Sequence, residues 1–361
     1  MAERRISNSA RRRGLLFLIA MAVIVGYMLW LSMKPPARKE TSQPYVRLCQ
    51  VMGTYASLSL WTDEATGAEA ARRVFAVFDD VDAQFSNYKP ESELSRLNAS
   101  AVQEPFACSD RMWELLTAAR QAYKISDGGF DISAGPLMKL WGFYKRRAEL
   151  PAPDEITEVL EAVGLDRVVF DDTARTVFFT RDGVMLDLGG IAKGYAIDLA
   201  IAAVRDLGLD SGVIDLGGNL YCLSIPPPDR LLYNIGIRNP RDAEGILGTV
   251  PVRDAAVAGS GDYERFVDIG ERRICHIMDP RTGQPTEGMA HVSVVASTAM
   301  NADILSTAAF VSHGKNLEAL KTLDAQAQFL IISIEKDGSL SLQKHGGVWD
   351  EIELFEAVVP D

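Results

Sequence analysis

The sequence predicts an α+β fold of mixed sheets with packed helices, preceded by one N-terminal transmembrane helix. Three observations carry that reading. Short runs with strand character recur at 50–61, 167–170, 176–180, 183–188, 212–216, 231–238, 248–253, 272–277 and 291–297. Apolar residues at three- and four-residue spacing mark helices at 65–85, 109–126, 153–163, 191–207, 300–311 and 315–323. The two kinds of run do not alternate in a strict βαβ rhythm, which argues against a doubly wound parallel sheet. Hydrophobic residues make up 47% of the 361, ample for a packed core.

Taken in order, the chain opens with a basic tail, residues 1–13. It holds Arg4, Arg5, Arg11, Arg12 and Arg13 against one acid, Glu3. Residues 14–33 follow without a charged side chain, long enough to cross a bilayer as a helix. The arginines before the run place the tail in the cytoplasm and the body across the inner membrane of a bacterium, in the periplasm. A cleaved signal peptide is the competing reading. It would have a shorter apolar region and a small-x-small site, which is not evident here. The proline-rich stretch 34–44 is a spacer, and the body runs from 45 to 361.

The whole chain carries a net charge of −12, and its first 33 residues carry +4. A body this acidic is a poor nonspecific partner for nucleic acid. A phosphate-rich ligand would need local positive charge or a metal. The four cysteines, Cys49, Cys108, Cys222 and Cys275, lack CxxC spacing, so a zinc site is not indicated. In an oxidising compartment they allow disulfides in three full pairings.

Within the body, 50–61 alternates as one strand with Gly53 as a bulge. The stretch DLGGIAKGYAID at 187–198 joins the strand 183–188 to the helix 191–207. Adjacent glycines there permit a sharp turn and leave backbone amides and carbonyls uncovered. Asp187 enters the turn and Lys193 sits one helical turn in. The same residues also fit a tight turn with a solvated lysine. A second DLGG ends the strand 212–216, which predicts two neighbouring strands with similar turns. AGSGDYERF is read as a small-residue turn followed by a strand, and 328–343 as a terminal hairpin.

Polar residues stand out where the pattern is otherwise apolar. Asp131 lies in FDISAGP, and His276 lies in CHIMDP. Asp303 and Thr307 fall four apart on one helical face. A carboxylate and a hydroxyl aimed at one point suit a hard cation such as Mg²⁺, which takes oxygen ligands. The alternative is that Thr307 bonds back to a helix carbonyl while Asp303 is solvated. A P-loop, a GxSxG elbow, HExxH and GxGxxG are all missing.

Eight stretches, in order, resemble the ApbE family of FAD:protein FMN transferases over roughly 45–335. They are VMGTYASL, FSNYKPESELSRLN, GGFDISAGPLMKLWGF, LDLGGIAKGYAID, VIDLGGNL, AGSGDYERF, HIMDPRTGQP and VVASTAMNADILSTAAFV. The resemblance implies a T-fold-related body that transfers the FMN half of FAD to a Ser or Thr of an acceptor protein and releases AMP. The acceptor is expected to be a flavin-carrying subunit of a membrane redox complex. Mg²⁺ is implied at the carbonyl of Gly190 and the side chains of Asp303 and Thr307. FAD contacts are implied at Met52, Tyr88, Gly129, Phe130, Asp131, Asp187, Lys193, Ile277 and Ser306. His276 and Asp303 are the candidate bases for the acceptor hydroxyl. The alternatives are an FAD pyrophosphatase using water, and a membrane-tethered flavin-binding protein without turnover.

Overall fold

The computed structural model describes residues 43–352 apart from 243. The tail and the apolar run 14–33 lie outside the described residues. Among those described, no helix is long and apolar enough to cross a membrane.

Eight strands form one sheet and follow one another in chain order: β1 (Tyr45–Val51), β2 (Thr54–Leu60), β3 (Gly212–Leu216), β4 (Asn219–Cys222), β5 (Ala255–Gly261), β6 (Met289–Ala296), β7 (Gln328–Ile334) and β8 (Leu340–His345). Every neighbouring pair is antiparallel. The central strands are apolar on both faces because both faces are covered. Along β7, Phe329 and Ile331 join the main core, while Leu330 and Ile332 join a second one built on the hairpin Tyr233–Arg238/Ile246–Val252 and Trp349.

Four helices matter most to the main core: α1 (Glu64–Phe85), α2 (Asp110–Ile125), α3 (Ala192–Arg205) and α4 (Ala299–Val311). Asp63, Ser109 and Thr298 cap α1, α2 and α4 by accepting from amides of the first turn. Helix α4 is apolar nearly all round and nearly wholly buried. Its start is locked to α3, because the Asp198 carboxylate accepts from Ala299 N at 2.8 Å and Met300 N at 2.9 Å. A Cβ on Gly194 would lie 2.3 Å from Ala299 O, so only glycine lets the two helices approach this closely.

Several sequence expectations are corrected. Residues 50–61 are a hairpin, with Met52 and Gly53, both at positive φ, forming the two-residue turn between β1 and β2. Residues 183–188 are not a strand. Side chains serve their backbone instead: Leu186 N donates to Asn98 Oδ1 at 2.7 Å, and Leu186 O accepts from Asn87 and Asn98. The first DLGG therefore leads from a loop into α3, while Gly217 and Gly218 of the second turn β3 into β4. AGSG belongs to strand β5. The helix expected at 315–323 is a single turn, Leu317–Leu320, entered through a left-handed Asn316. All four cysteines are free.

Candidate active site

Asp303 is 2% exposed on α4, and a buried carboxylate needs donors to be tolerated. Two parts of the chain supply three of them. Lys193 Nζ lies 3.2 Å from Oδ1, Asn219 Nδ2 donates to Oδ1 at 2.8 Å, and Gly194 N donates to Oδ2 at 3.0 Å. The close crossing of α3 and α4 delivers Lys193 and Gly194. The Gly217-Gly218 turn delivers Asn219 at the head of β4.

Gly190 and Thr307, which the family resemblance places together, lie side by side. A Cβ on Gly190 would lie 3.4 Å from Thr307 Oγ1 and 3.2 Å from Phe130 Cε2. Thr307 is half-buried, and its hydroxyl has no hydrogen-bond partner among the described residues. The back-bond to a helix carbonyl is therefore not made. A carboxylate, an unpartnered hydroxyl and an uncovered backbone unit thus share one face of α4, a donor chemistry that fits a hard cation. No three His, Cys, Asp or Glu side chains converge on a metal-sized point among the described residues.

Around this group, Asp187 accepts from Gly189 N at 2.7 Å and from the Tyr144 hydroxyl. Tyr144 packs against Tyr88, ring centroids 5.3 Å apart, and the exposed Tyr88 hydroxyl accepts from Arg265. Ser306 is fully buried; its hydroxyl donates to Asp303 O and pairs with Ser260 Oγ at 3.0 Å. Met52 stands at the β1–β2 turn. That turn abuts the second DLGG, where a Cβ on Gly217 would meet Thr54 at 2.8 Å.

His276 Nδ1 lies 3.0 Å from Arg265 O. A carbonyl only accepts, so Nδ1 carries the proton and Nε2 keeps its lone pair. Burial, then the cations Arg265 and Lys193, push the imidazole down to about 4. It is therefore neutral at pH 7.

Of the other expected residues, Phe130 meets Gly190 beside Thr307. Ile277 is buried, its carbonyl taken by Thr286 N at 2.9 Å. Gly129 and Phe130 follow α2, with Phe130 N donating to Ser126 Oγ. The Asp131 carboxylate accepts from Ser133 N and Oγ, both at 2.7 Å. It borders a separate hollow of about 220 Å³ with Tyr123, Asp166 and Arg281. Burial pushes it up to about 6, against the pull of the Ser133 hydrogen bonds. A larger hollow, about 430 Å³, is lined by Trp61, Pro227 and Tyr233 and shares no residue with the Asp303 group.

Sequence reasoning missed Asn219, Tyr144, Gly194 and Glu264. Glu264 keeps a solvent-open face, yet its carboxyl is crowded by protein and pushed up to about 7. Lys193 opposes that shift and Asp303 adds to it. The signal for Asn219 was its position directly after the second DLGG.

The fold built on this eight-stranded antiparallel sheet is shared with solved structures. The ApbE protein of Thermotoga maritima superposes with a TM-score of 0.75 at 30% identity, over 83% of this chain and 96% of that one. The chain belongs to the ApbE family, whose model matches residues 52–331. It is 33% identical over 330 residues to a protein named FAD:protein FMN transferase in Treponema pallidum, spanning 87% of this chain and 90% of that one. A protein of the same name in Klebsiella pneumoniae is 30% identical over 263 residues, 72% of this chain and 80% of the relative.

Proposed function

We propose that this chain is an FAD:protein FMN transferase that moves the FMN half of FAD onto a Ser or Thr hydroxyl of an acceptor protein and releases AMP. The observation that carries the reading is the convergence of Lys193, Asn219 and Gly194 on the buried Asp303, beside the unpartnered Thr307 hydroxyl. In this reading Asp303, Thr307 and the Gly190 carbonyl would hold Mg²⁺, which when bound acts as a Lewis acid on the diphosphate.

The chain's own residues do the rest. Lys193 lies in the first turn of α3 and offers a cation, beside the positive end of the helix, to the phosphates. Asn219 and Gly194 fix the Asp303 carboxylate. His276 Nε2 accepts the proton of the acceptor hydroxyl as its oxygen bonds to the FMN phosphorus. The anhydride bond breaks and AMP leaves with its electron pair. Tyr88 and Tyr144 supply an aromatic wall for the flavin.

The reading extends to place. Residues 14–33 anchor the enzyme in the inner membrane, and 45–361 work in the periplasm on a subunit of a membrane redox complex. The test is mass spectrometry of acceptor proteins co-expressed with this chain. One FMN on a Ser or Thr is expected, absent with Asp303→Ala. AMP formation with no labelled protein would point to water as the nucleophile and overturn the transferase reading.

A further inference from the structure

A protein acceptor must thread a hydroxyl into the cleft, and this inference rests on the transferase reading. We propose that the free edge of β1 is the docking rail for the acceptor, which adds an extended segment to the sheet as a ninth strand. In that position the segment leads past Met52 to the Asp303 group.

The hydrogen-bond phase of β1 follows from its neighbours. Tyr55 O accepts from Gly217 N at 2.9 Å, and Trp61 N donates to Ser211 O at 3.1 Å. Odd-numbered residues of β2 therefore bond toward β3, and even-numbered ones toward β1. Their partners Tyr45, Arg47, Cys49 and Val51 complete the β1–β2 ladder. Val46, Leu48 and Gln50 consequently turn their N–H and C=O outward. Val46 O is taken by Arg47 Nη1 at 3.0 Å. The outward groups of Leu48 and Gln50 have no partner among the described residues.

Side chains on this edge match the use. Leu48 is 70% exposed, Tyr55 71% and Val46 43%, an apolar row on one face of the β1–β2 pair. Exposed edges are normally blunted by proline, inward charge or a bulge. The β1–β2 pairing is regular from Tyr45 to Val51 without a proline or bulge, and its one charge, Arg47, covers only the Val46 carbonyl, leaving Leu48 and Gln50 open. An open edge beside apolar side chains is the surface that captures an extended peptide, the main chain supplying affinity and the side chains selectivity.

Location chooses the occupant. The edge ends at the Met52-Gly53 turn. Thr54, the residue after that turn, meets Gly217, two residues from Asn219, which holds Asp303. An added strand lies four strand spacings from β4, roughly 19 Å, so a segment paired with Val46–Gln50 needs about six further extended residues, crossing the ends of β1, β2 and β3, to reach the cleft. A second copy of this chain would leave the cleft without a hydroxyl, whereas the acceptor brings one.

The experiment uses the full chain in detergent with FAD, Mg²⁺ and a pool of peptides of about 25 residues, enough to pair with the edge and reach the cleft, each with one fixed central Thr and random flanks. Peptide labelling with FMN is read by mass spectrometry, and FAD binding by flavin fluorescence. Leu48→Pro removes an outward N–H without touching the β1–β2 ladder, a position where edge strands tolerate proline. It should cut labelling at least tenfold with FAD binding unchanged. The double variant Leu48→Lys/Tyr55→Lys, which keeps every backbone group, should shift the flanking residues selected in labelled peptides. Wild-type labelling by both variants, with the same flanks, overturns the edge proposal alone. If the wild type neither binds FAD nor labels any peptide, the transferase reading fails and the docking rail falls with it.

Discussion

Gly194→Ala tests whether the α3–α4 crossing sets the site. The added Cβ would lie 2.3 Å from Ala299 O and 2.6 Å from Met300 Cα, whereas ordinary contact starts at 3.4 Å. Both obstacles are backbone, so the helices must part by about 1 Å. Overpacking of this kind costs about 1–3 kcal/mol. Weakening the Gly194 N–H bond to the Asp303 carboxylate costs about 1.5–3 kcal/mol more. Alanine's better helix propensity returns about 1 kcal/mol. The net expectation is a loss of about 1.5–5 kcal/mol, read as a lower urea midpoint at unchanged slope. Activity should suffer more than stability suggests, because a shift of about 1 Å at a reacting group costs on the order of 10²-fold. FMN transfer would be measured under conditions where the variant is fully folded. A variant as stable as the parent, with undiminished transfer, would refute the claim that this contact holds Lys193 and Asp303 in register.

Other expectations follow from the same geometry. Asp303→Ala should cost more transfer than His276→Ala, whose loss is about 10²–10⁴-fold; rates at excess Mg²⁺ compare them, and equal losses would count against a metal-led reaction. With His276 pushed down to about 4, transfer should change less than twofold from pH 8 to 5.5, where an unperturbed histidine would lose about tenfold. Burial also pushes His291 down to about 4. From pH 6.5 to 4 the unfolded chain binds the more protons at both histidines. Their contribution to stability is therefore full above pH 6.5 and lost as pH falls toward 4. His291→Gln should flatten the urea midpoint across that window relative to the parent. Met52 holds φ at 51°, a left-handed conformation that strains a non-glycine residue by about 1–3 kcal/mol. Met52→Gly should raise the urea midpoint while weakening FAD binding, measured by titration.

Local chemistry was readable in the sequence where one segment decides it. Asp303 and Thr307 share a face because helix geometry puts residues four apart together, and the caps at Asp63, Ser109 and Thr298 act within their own turns. What escaped depends on remote partners. Residues 183–188 have the composition of a strand, yet Asn87 and Asn98 take the backbone of Leu186 while Asp187 N donates to Ile132 O, and neither asparagine announces that role. Gly194 reads as a weak spot in a helix until Ala299 is known to press on it. Met52-Gly53 passes for a bulge because Asn or Asp, the usual companions of Gly in such a turn, are absent. Asn219 stands beside a motif the sequence singles out, but its target lies 84 residues away.

That separation has a consequence for how the molecule matures. β2 and β3 are adjacent in the sheet, yet the chain between them runs from Leu60 to Gly212 and contains α1, α2 and Lys193. Lys193 and Asp303 are themselves 110 residues apart. Closing such wide loops is slow, so helices can form well before a competent cleft exists. A half-assembled chain would hold no organised grip on a nucleotide, and flavin capture would report completion of the sheet instead of its beginnings.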